Sequence, residues 1–374
     1  MARVLTVFGT RPEAIKMAPV VKALGSTLGV ECLVAVTAQH REMLDQVLHL
    51  FKIKPDYDLD IMKERQDLYG ITTLALNGLK DVIAHAKPDL VLVHGDTTTT
   101  FAGALAAFYQ QVPVGHVEAG LRTFNKFAPF PEEMNRSLTG RLTDMHFAPT
   151  KQAKANLIAE GIGEEKIWVT GNTVIDALLQ TVGEYNLEST LPGIDWSKRL
   201  ILLTTHRREN WGEPMRETFT AIRELTEEYQ DIEVIFPVHK NPVVSQMAGD
   251  ELGGRERIHL IEPLDYEPFA NLMNRSYLIL TDSGGIQEEA PSLGKPVLVL
   301  RETTERPEAL AAGTVKLVGT DRRCIQGQVR ELLNDQAAYH QMAHAVNPFG
   351  DGQAAGRIAS AVKNFLTSVK VAKQ

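Results

Sequence analysis

Apolar, β-branched residues come in short runs along this chain, and between them lie longer stretches whose apolar positions recur at helical spacing. In the first half the runs are VLTVFG, CLVAVTA, LVLVHGD, VPVGHVEAG, MHFAPT and IWVTGN. After a polar stretch, NLESTLPGIDWSK, the pattern restarts with RLILLTTH, IEVIFPVH, IHLIEPL, YLILTDSGG, KPVLVLRETTE and VKLVG. Runs of this kind suit strands covered on both faces, and their interleaving with helices predicts βα units around parallel sheets. The expected class is therefore α/β, with two doubly wound, Rossmann-like domains. The joint is expected near Gly171 and Asn172, giving an N-terminal domain of residues 1–171 and a C-terminal domain of residues 172–352. A helix within residues 353–374 is expected to return to the first domain.

Length supports this division, because 374 residues exceed what a single growing core accommodates. No window approaches the apolar length of a membrane span. The N-terminus runs straight into a β-branched segment without the regions of a signal peptide, and a cytoplasmic setting is expected. Cys32 and Cys324 have no metal-ligand or disulfide-framework spacing, so no metal is expected. The net charge of -8, without a lysine or arginine stripe, argues against nucleic acid. A phosphate-bearing small molecule is compatible with it, because local N–H groups and a few cations hold such ligands.

Doubly wound sheets bind ligands at the carboxyl ends of their strands, and a cleft between two such domains is the default site. The turn FGTRPEAIK places Arg11 and Lys16 at a helix N-terminus, either as surface cations or for an external anion. VLVHGDTTTT ends in Asp96, readable as a helix N-cap or as a group facing the ligand. GHVEAGLRT carries His116 and Glu118 on one face of a strand; Glu118 is a catalytic candidate unless it merely pairs with Arg122 or Arg136. An aromatic loop precedes Glu132, which serves either the helix dipole or, as a lid carboxylate, the substrate.

In the second half, LLTTHRREN ends a strand in His206 and Arg207, an anion site by composition. His239, Phe269 and Arg306 share that strand-end placement. TDSGGIQEEA puts Ser283, Gly284 and Gly285 where backbone N–H groups approach a diphosphate, with Glu289 about a turn further in, placed to accept ribose hydroxyls. Neither GxGxxG after the first strand nor GxxxxGK[ST] occurs, which disfavours NAD and a P-loop; no cofactor is expected.

The segments VFGTRPEAIKMAP, TAQHREMLDQ, VHGDTTTT, GHVEAGLRT, PEEMNR, GNTVIDAL, THRREN, LTDSGGIQEEAPSLGKPVLVLRETTERPE and NPFGDGQAAGRI closely resemble the bacterial non-hydrolysing UDP-N-acetylglucosamine 2-epimerases. They span residues 7–358. The resemblance implies a glycosyltransferase-B type fold with the active site in the interdomain cleft. It implies reversible interconversion of UDP-GlcNAc and UDP-ManNAc, without NAD or metal, by anti elimination of UDP to 2-acetamidoglucal and syn re-addition. Asp96, Glu118 and Glu132 would be the carboxylates, with His206, Lys16 and Arg11 on the diphosphate side. Ser283, Gly284 and Gly285 would hold phosphate, Glu289 the ribose and Phe269 the uracil, with Arg306 completing the substrate-binding set.

The resemblance further implies a homodimer, and activation by a second substrate copy at Gln39, His40, Glu42, Arg65, Gln66, Arg207 and His239. One departure is Leu264, where several relatives carry glutamine. The other readings are a hydrolysing epimerase or another enzyme of the same fold, and a non-catalytic UDP-sugar sensor.

Overall fold

The structure is a computed structural model; it describes residues 1–38, 41–62 and 66–372. Within these the chain divides into two compact units, Met1–Ala177 with Phe349–Gln374, and Leu178–Pro348. Each unit is an α/β sheet with helices between its strands, as the runs predict.

The first unit contains β1 (Ala2–Phe8), β2 (Val30–Val36), β3 (Tyr57–Asp58), β4 (Leu90–His94), β5 (Val114–Val117), β6 (Met145–Ala148) and β7 (Ile167–Val169). They pair, all parallel, in the order β3-β2-β1-β4-β5-β6-β7. Every residue of β4, β5 and β6 is buried, which is why these segments read as unbroken apolar runs. β3 is absent from the sequence reading: two residues at a sheet edge show no periodicity. The core of this sheet is built from Leu5, Val7, Val91 and Val93 against Leu79, Ile83 and Ala104 of the flanking helices.

The strand order reverses between β1 and β4, and there the turns are packed tightly. A Cβ on Gly9 would come within 2.0 Å of Thr37 Oγ1 and 2.7 Å of Thr99 Oγ1. Only glycine lets the turn after β1 lie against the helix that follows β4.

The returning helix, Ala354–Ala372, packs on the helix Arg11–Gly25. Its start is held by Asp176, buried, whose carboxylate accepts from the N–H groups of Ala354 at 3.2 Å and Ala355 at 2.8 Å. That supplies two of the partners a helix N-terminus lacks. Nearby, Asn172 N donates to Phe349 O at 2.6 Å, so the segments where the chain leaves and re-enters this unit are tied together.

The second unit contains β8 (Arg199–Thr204), β9 (Ile232–Pro237), β10 (Ile258–Ile261), β11 (Leu278–Thr281), β12 (Val297–Val299) and β13 (Val315–Leu317), all parallel in the order β10-β9-β8-β11-β12-β13. Its core sets Phe219 on Phe236, ring centroids 5.7 Å apart, among Ile201, Leu203, Ile222 and Leu280. Here the order reverses between β8 and β11. In both units the reversal is the place where a parallel sheet opens a ligand crevice.

Candidate functional site

In the first unit the candidate side chains come from the turns after β1, β4 and β5. Thr10 caps the helix Arg11–Gly25, and Glu13 turns back to receive the N–H groups of Gly9 at 2.9 Å and Thr10 at 2.8 Å. The other oxygen of Glu13 accepts from Thr97 Oγ1 at 2.6 Å and Thr100 Oγ1 at 3.1 Å. One buried carboxylate therefore joins the turn after β1 to the turn after β4. Lys16, one turn into the helix, is directed to Glu118, with Nζ 2.5 Å from Oε2. Arg11 is half-buried and makes no ion pair among the described residues.

Thr97, not Asp96, caps the helix after β4, its hydroxyl accepting from Thr100 N at 3.2 Å. The N-cap reading of Asp96 is thereby excluded. The Asp96 carboxylate meets Arg136 at 3.1 Å, and its carbonyl accepts from Asn135 Nδ2 at 3.0 Å. Burial, then the neighbouring Glu118, push the Asp96 carboxyl up to about 6, against the pull of Arg136 and Lys16. Glu132 adds to the upward push. Glu132, Asn135 and Arg136 stand at i, i+3 and i+4 on the helix Glu132–Leu142 and so share one face, the face that supplies both bonds to Asp96.

Glu118 directly follows β5 with a φ of +64°, a left-handed conformation uncommon outside glycine and frequent at functional sites. Neither expected alternative partner takes its charge. Arg122 forms a two-pronged pair with Glu160, at 2.6 and 2.9 Å, and Arg136 pairs with Glu133 and Asp96.

Behind these groups lie His94, His116 and His146, buried on β4, β5 and β6. His116 Nε2 is 2.7 Å from Gly95 O. A carbonyl only accepts, so Nε2 carries the proton, and the ring braces the backbone next to Asp96. His94 Nε2 lies 3.9 Å from Glu118 Oε2, and neither of its ring nitrogens is hydrogen-bonded among the described residues. Burial drives the pKa of His94 and His116 down to about 4 and that of His146 to about 3, so all three are neutral.

In the second unit, Thr281 Oγ1 accepts from Ser283 N at 2.9 Å. By helix geometry the N–H groups left open at this turn are those of Gly284 and Gly285; Ser283 caps the helix Gly284–Glu289 without a side-chain bond. A Cβ on Gly285 would meet nothing closer than 3.6 Å, and one on Gly284 nothing closer than 3.5 Å. The chain's own packing does not demand glycine at either position.

The nearest atom to that Gly284 Cβ is Arg306 Nη2. Arg306 Nε bonds Glu288, so the first glutamate of the motif has a partner beside the turn. Glu289 receives Tyr266 Oη at 3.4 Å, which sets it beside the helix Tyr266–Arg275 that carries half-buried Phe269.

His206 and Arg207 follow β8. The His206 ring stacks on His239, centroids 5.4 Å apart and planes 15° apart. Arg207 lies 3.7 Å from Glu305. Glu42 is exposed in the first turn of the helix Arg41–Leu50, and Gln66 donates to Ile61 O at 2.6 Å. Gln39, His40 and Arg65 lie outside the described residues.

Residues 22–363 match the sequence profile of the UDP-N-acetylglucosamine 2-epimerases. A Bacillus subtilis UDP-N-acetylglucosamine 2-epimerase is 58% identical over 356 residues, 95% of this chain and 93% of the relative. The Escherichia coli K12 protein of that name is 56% identical over 375 residues, covering 98% of this chain and 100% of the relative. The chain belongs to the UDP-N-acetylglucosamine 2-epimerase family. A Neisseria meningitidis 2-epimerase structure bound to UDP-GlcNAc matches with a TM-score of 0.86 at 53% identity, covering 97% of this chain and 100% of that one.

Within this 2-epimerase chain, several site groups escape a reading of the sequence. Glu13 passes for an ordinary capping-box glutamate, and Asp282 for the end of a strand. Arg136 and Asn135 carry a signal that was readable, an i, i+3, i+4 set starting at Glu132. His94 and His146 sit inside apolar runs and give no sign beyond their type.

Proposed function

We propose that this chain interconverts UDP-N-acetylglucosamine and UDP-N-acetylmannosamine by inverting C2, using no nicotinamide and no metal. What carries this reading is the cluster at the ends of β4 and β5, in a chain of the 2-epimerase family. Asp96 is pushed up to about 6 beside Glu118, which Lys16 contacts at 2.5 Å. A carboxylate with a pKa near the working pH both accepts and returns a proton, as a reversible reaction at carbon requires.

In the first step a carboxylate takes the C2 proton while the C1–O bond breaks, its electron pair leaving on the diphosphate of UDP; 2-acetamidoglucal remains. UDP then adds back syn as a proton reaches the opposite face of C2 from the one it left. Asp96 and Glu118 are the first pair, and Glu132 is the reprotonating or regulatory carboxylate. Ser283, Gly284 and Gly285, with His206, Lys16 and Arg11, hold the diphosphate as charge gathers on it, and Arg306 completes the substrate-binding set. Glu289 takes the ribose, and Phe269 lies beside the uracil.

In this reading the unit of residues 1–177 and 349–374 supplies the proton-transfer groups and the unit of residues 178–348 the UDP-binding groups. The enzyme works as a cytoplasmic homodimer that feeds cell-surface polysaccharide synthesis. Gln39, His40, Glu42, Arg65, Gln66, Arg207 and His239 take a second, activating substrate copy. Incubation with UDP-GlcNAc in deuterated water tests the core of it: deuterium is expected at C2 of both UDP-sugars. Turnover without incorporation, or free sugar formed at the rate of turnover, defeats it.

A further inference from the structure

Asp282 follows β11 and is completely buried. Its Oδ2 accepts from Thr205 Oγ1 at 2.8 Å, His206 N at 2.9 Å, Arg207 N at 2.9 Å and Asn210 Nδ2 at 3.2 Å. All four donors belong to the turn after β8, the strand that pairs with β11. Oδ1 accepts no hydrogen bond among the described residues and lies 3.2 Å from His206 Nδ1. A buried carboxylate oxygen without a donor carries a substantial free-energy cost. The ionisable group beside it is that ring nitrogen of His206.

We propose that Asp282 is a positioning residue for His206: it fixes the backbone of the His206 turn, selects the Nδ1–H tautomer and presents Nε2 to the diphosphate. The His206 side chain is 41% exposed, so the ring is accessible to a ligand. A neutral ring in this tautomer offers only a lone pair to an anion. Once Nε2 gains a proton, the imidazolium donates to the diphosphate while Asp282 holds its other end, the division of labour of an aspartate–histidine pair.

Three charged or titratable groups act on the ring, Asp282 after β11, His239 after β9 and Arg207 next in the chain, and Glu305 pairs with Arg207. Burial holds His206 below the ordinary imidazole range, with His239 and Arg207 adding to that depression, while Asp282 opposes it. The carboxylate is thus what keeps a protonated ring within reach when the diphosphate arrives.

Asp282→Asn separates charge from architecture. The amide oxygen can occupy the Oδ2 position and keep the four turn donors satisfied, while the amide nitrogen donates into His206 Nδ1 and reverses the tautomer. In nitrogen-15 NMR of the wild-type protein, His206 is expected as Nδ1–H at high pH, with and without UDP; finding Nε2–H overturns the proposal whatever the variants do.

In Asp282→Asn, the ring should switch tautomer and titrate at lower pH. The alkaline limb of kcat should move the same way, and kcat should fall about 10²-fold with KM little changed, the scale of a lost general acid–base or charge partner. An unchanged His206 titration and pH profile overturns it. Placed in a His206→Asn background, Asp282→Asn should lower kcat no further; a second full loss there would mean that Asp282 acts through general folding. The kinetic arm rests on the epimerase reading, whereas the NMR arm stands even if no turnover occurs.

Discussion

Asp96 is held by Arg136 at one carboxylate oxygen and by Asn135 at its carbonyl, while Glu118 and Glu132 press on its charge. With the carboxyl pushed up to about 6, it is protonated below that pH and cannot remove a proton from carbon. The acid limb of kcat/KM should therefore fall near pH 6, and activity should rise as pH increases through it. In Asp96→Asn, kcat should drop about 10²-fold or more and that limb should vanish; a limb that survives assigns the base elsewhere, with Glu118→Gln and Glu132→Gln the variants to compare. From its local motif Asp96 was readable only as a choice between cap and functional group, and the family resemblance alone favoured the latter. Its separation from the cap depends on which of two adjacent side chains turns toward Thr100 N, and the motif VLVHGDTTTT does not encode that.

Two neighbouring βα turns are held together in the same way in each unit. In the first, Glu13 bridges the turns after β1 and β4; in the second, Asp282 bridges those after β11 and β8. Each bridge spans the pair of strands where the sheet order reverses. In Glu13→Gln the amide has one acceptor where four donors converge, and leaves buried N–H or O–H groups unpaired at about 1–3 kcal/mol. A lowered Tm and a loss in kcat exceeding any change in KM are expected, since both Lys16 and Asp96 ride on these turns.

The helices and long strands at this scale were legible because apolar period and turn residues agree. The missed β3, with only two residues, owes its place to β2 rather than to its own sequence. The bridging carboxylates were invisible for a related reason, as their partners are 84 and 77 residues away in the chain.

Across the whole molecule, the neutral histidines of β4, β5 and β6 set how it meets acid. Their folded pKa values, about 4, 4 and 3, lie below the ordinary imidazole value of about 6.5. Their contribution is fully present above pH ~6.5 and is lost as pH falls toward those folded values, each at about 1.4 kcal/mol per pH unit. Asp96 works the other way, because its raised pKa lets the folded state bind a proton first. Denaturant unfolding followed from pH 7 to 4 should show net proton uptake on unfolding. His146→Asn should flatten that dependence, and an unchanged slope would mean the ring titrates in the fold.

The bonds of Asn172 with Phe349, and of Asp176 with the start of the helix Ala354–Ala372, bring together the two chain segments of the first unit that flank residues 178–348. The first unit is interrupted in sequence and continuous in space. Closing so short a gap adds little loop entropy, so a brief glycine-serine splice could replace residues 178–348, leaving the carboxylate cluster and the buried histidines to be titrated in a protein about half the size.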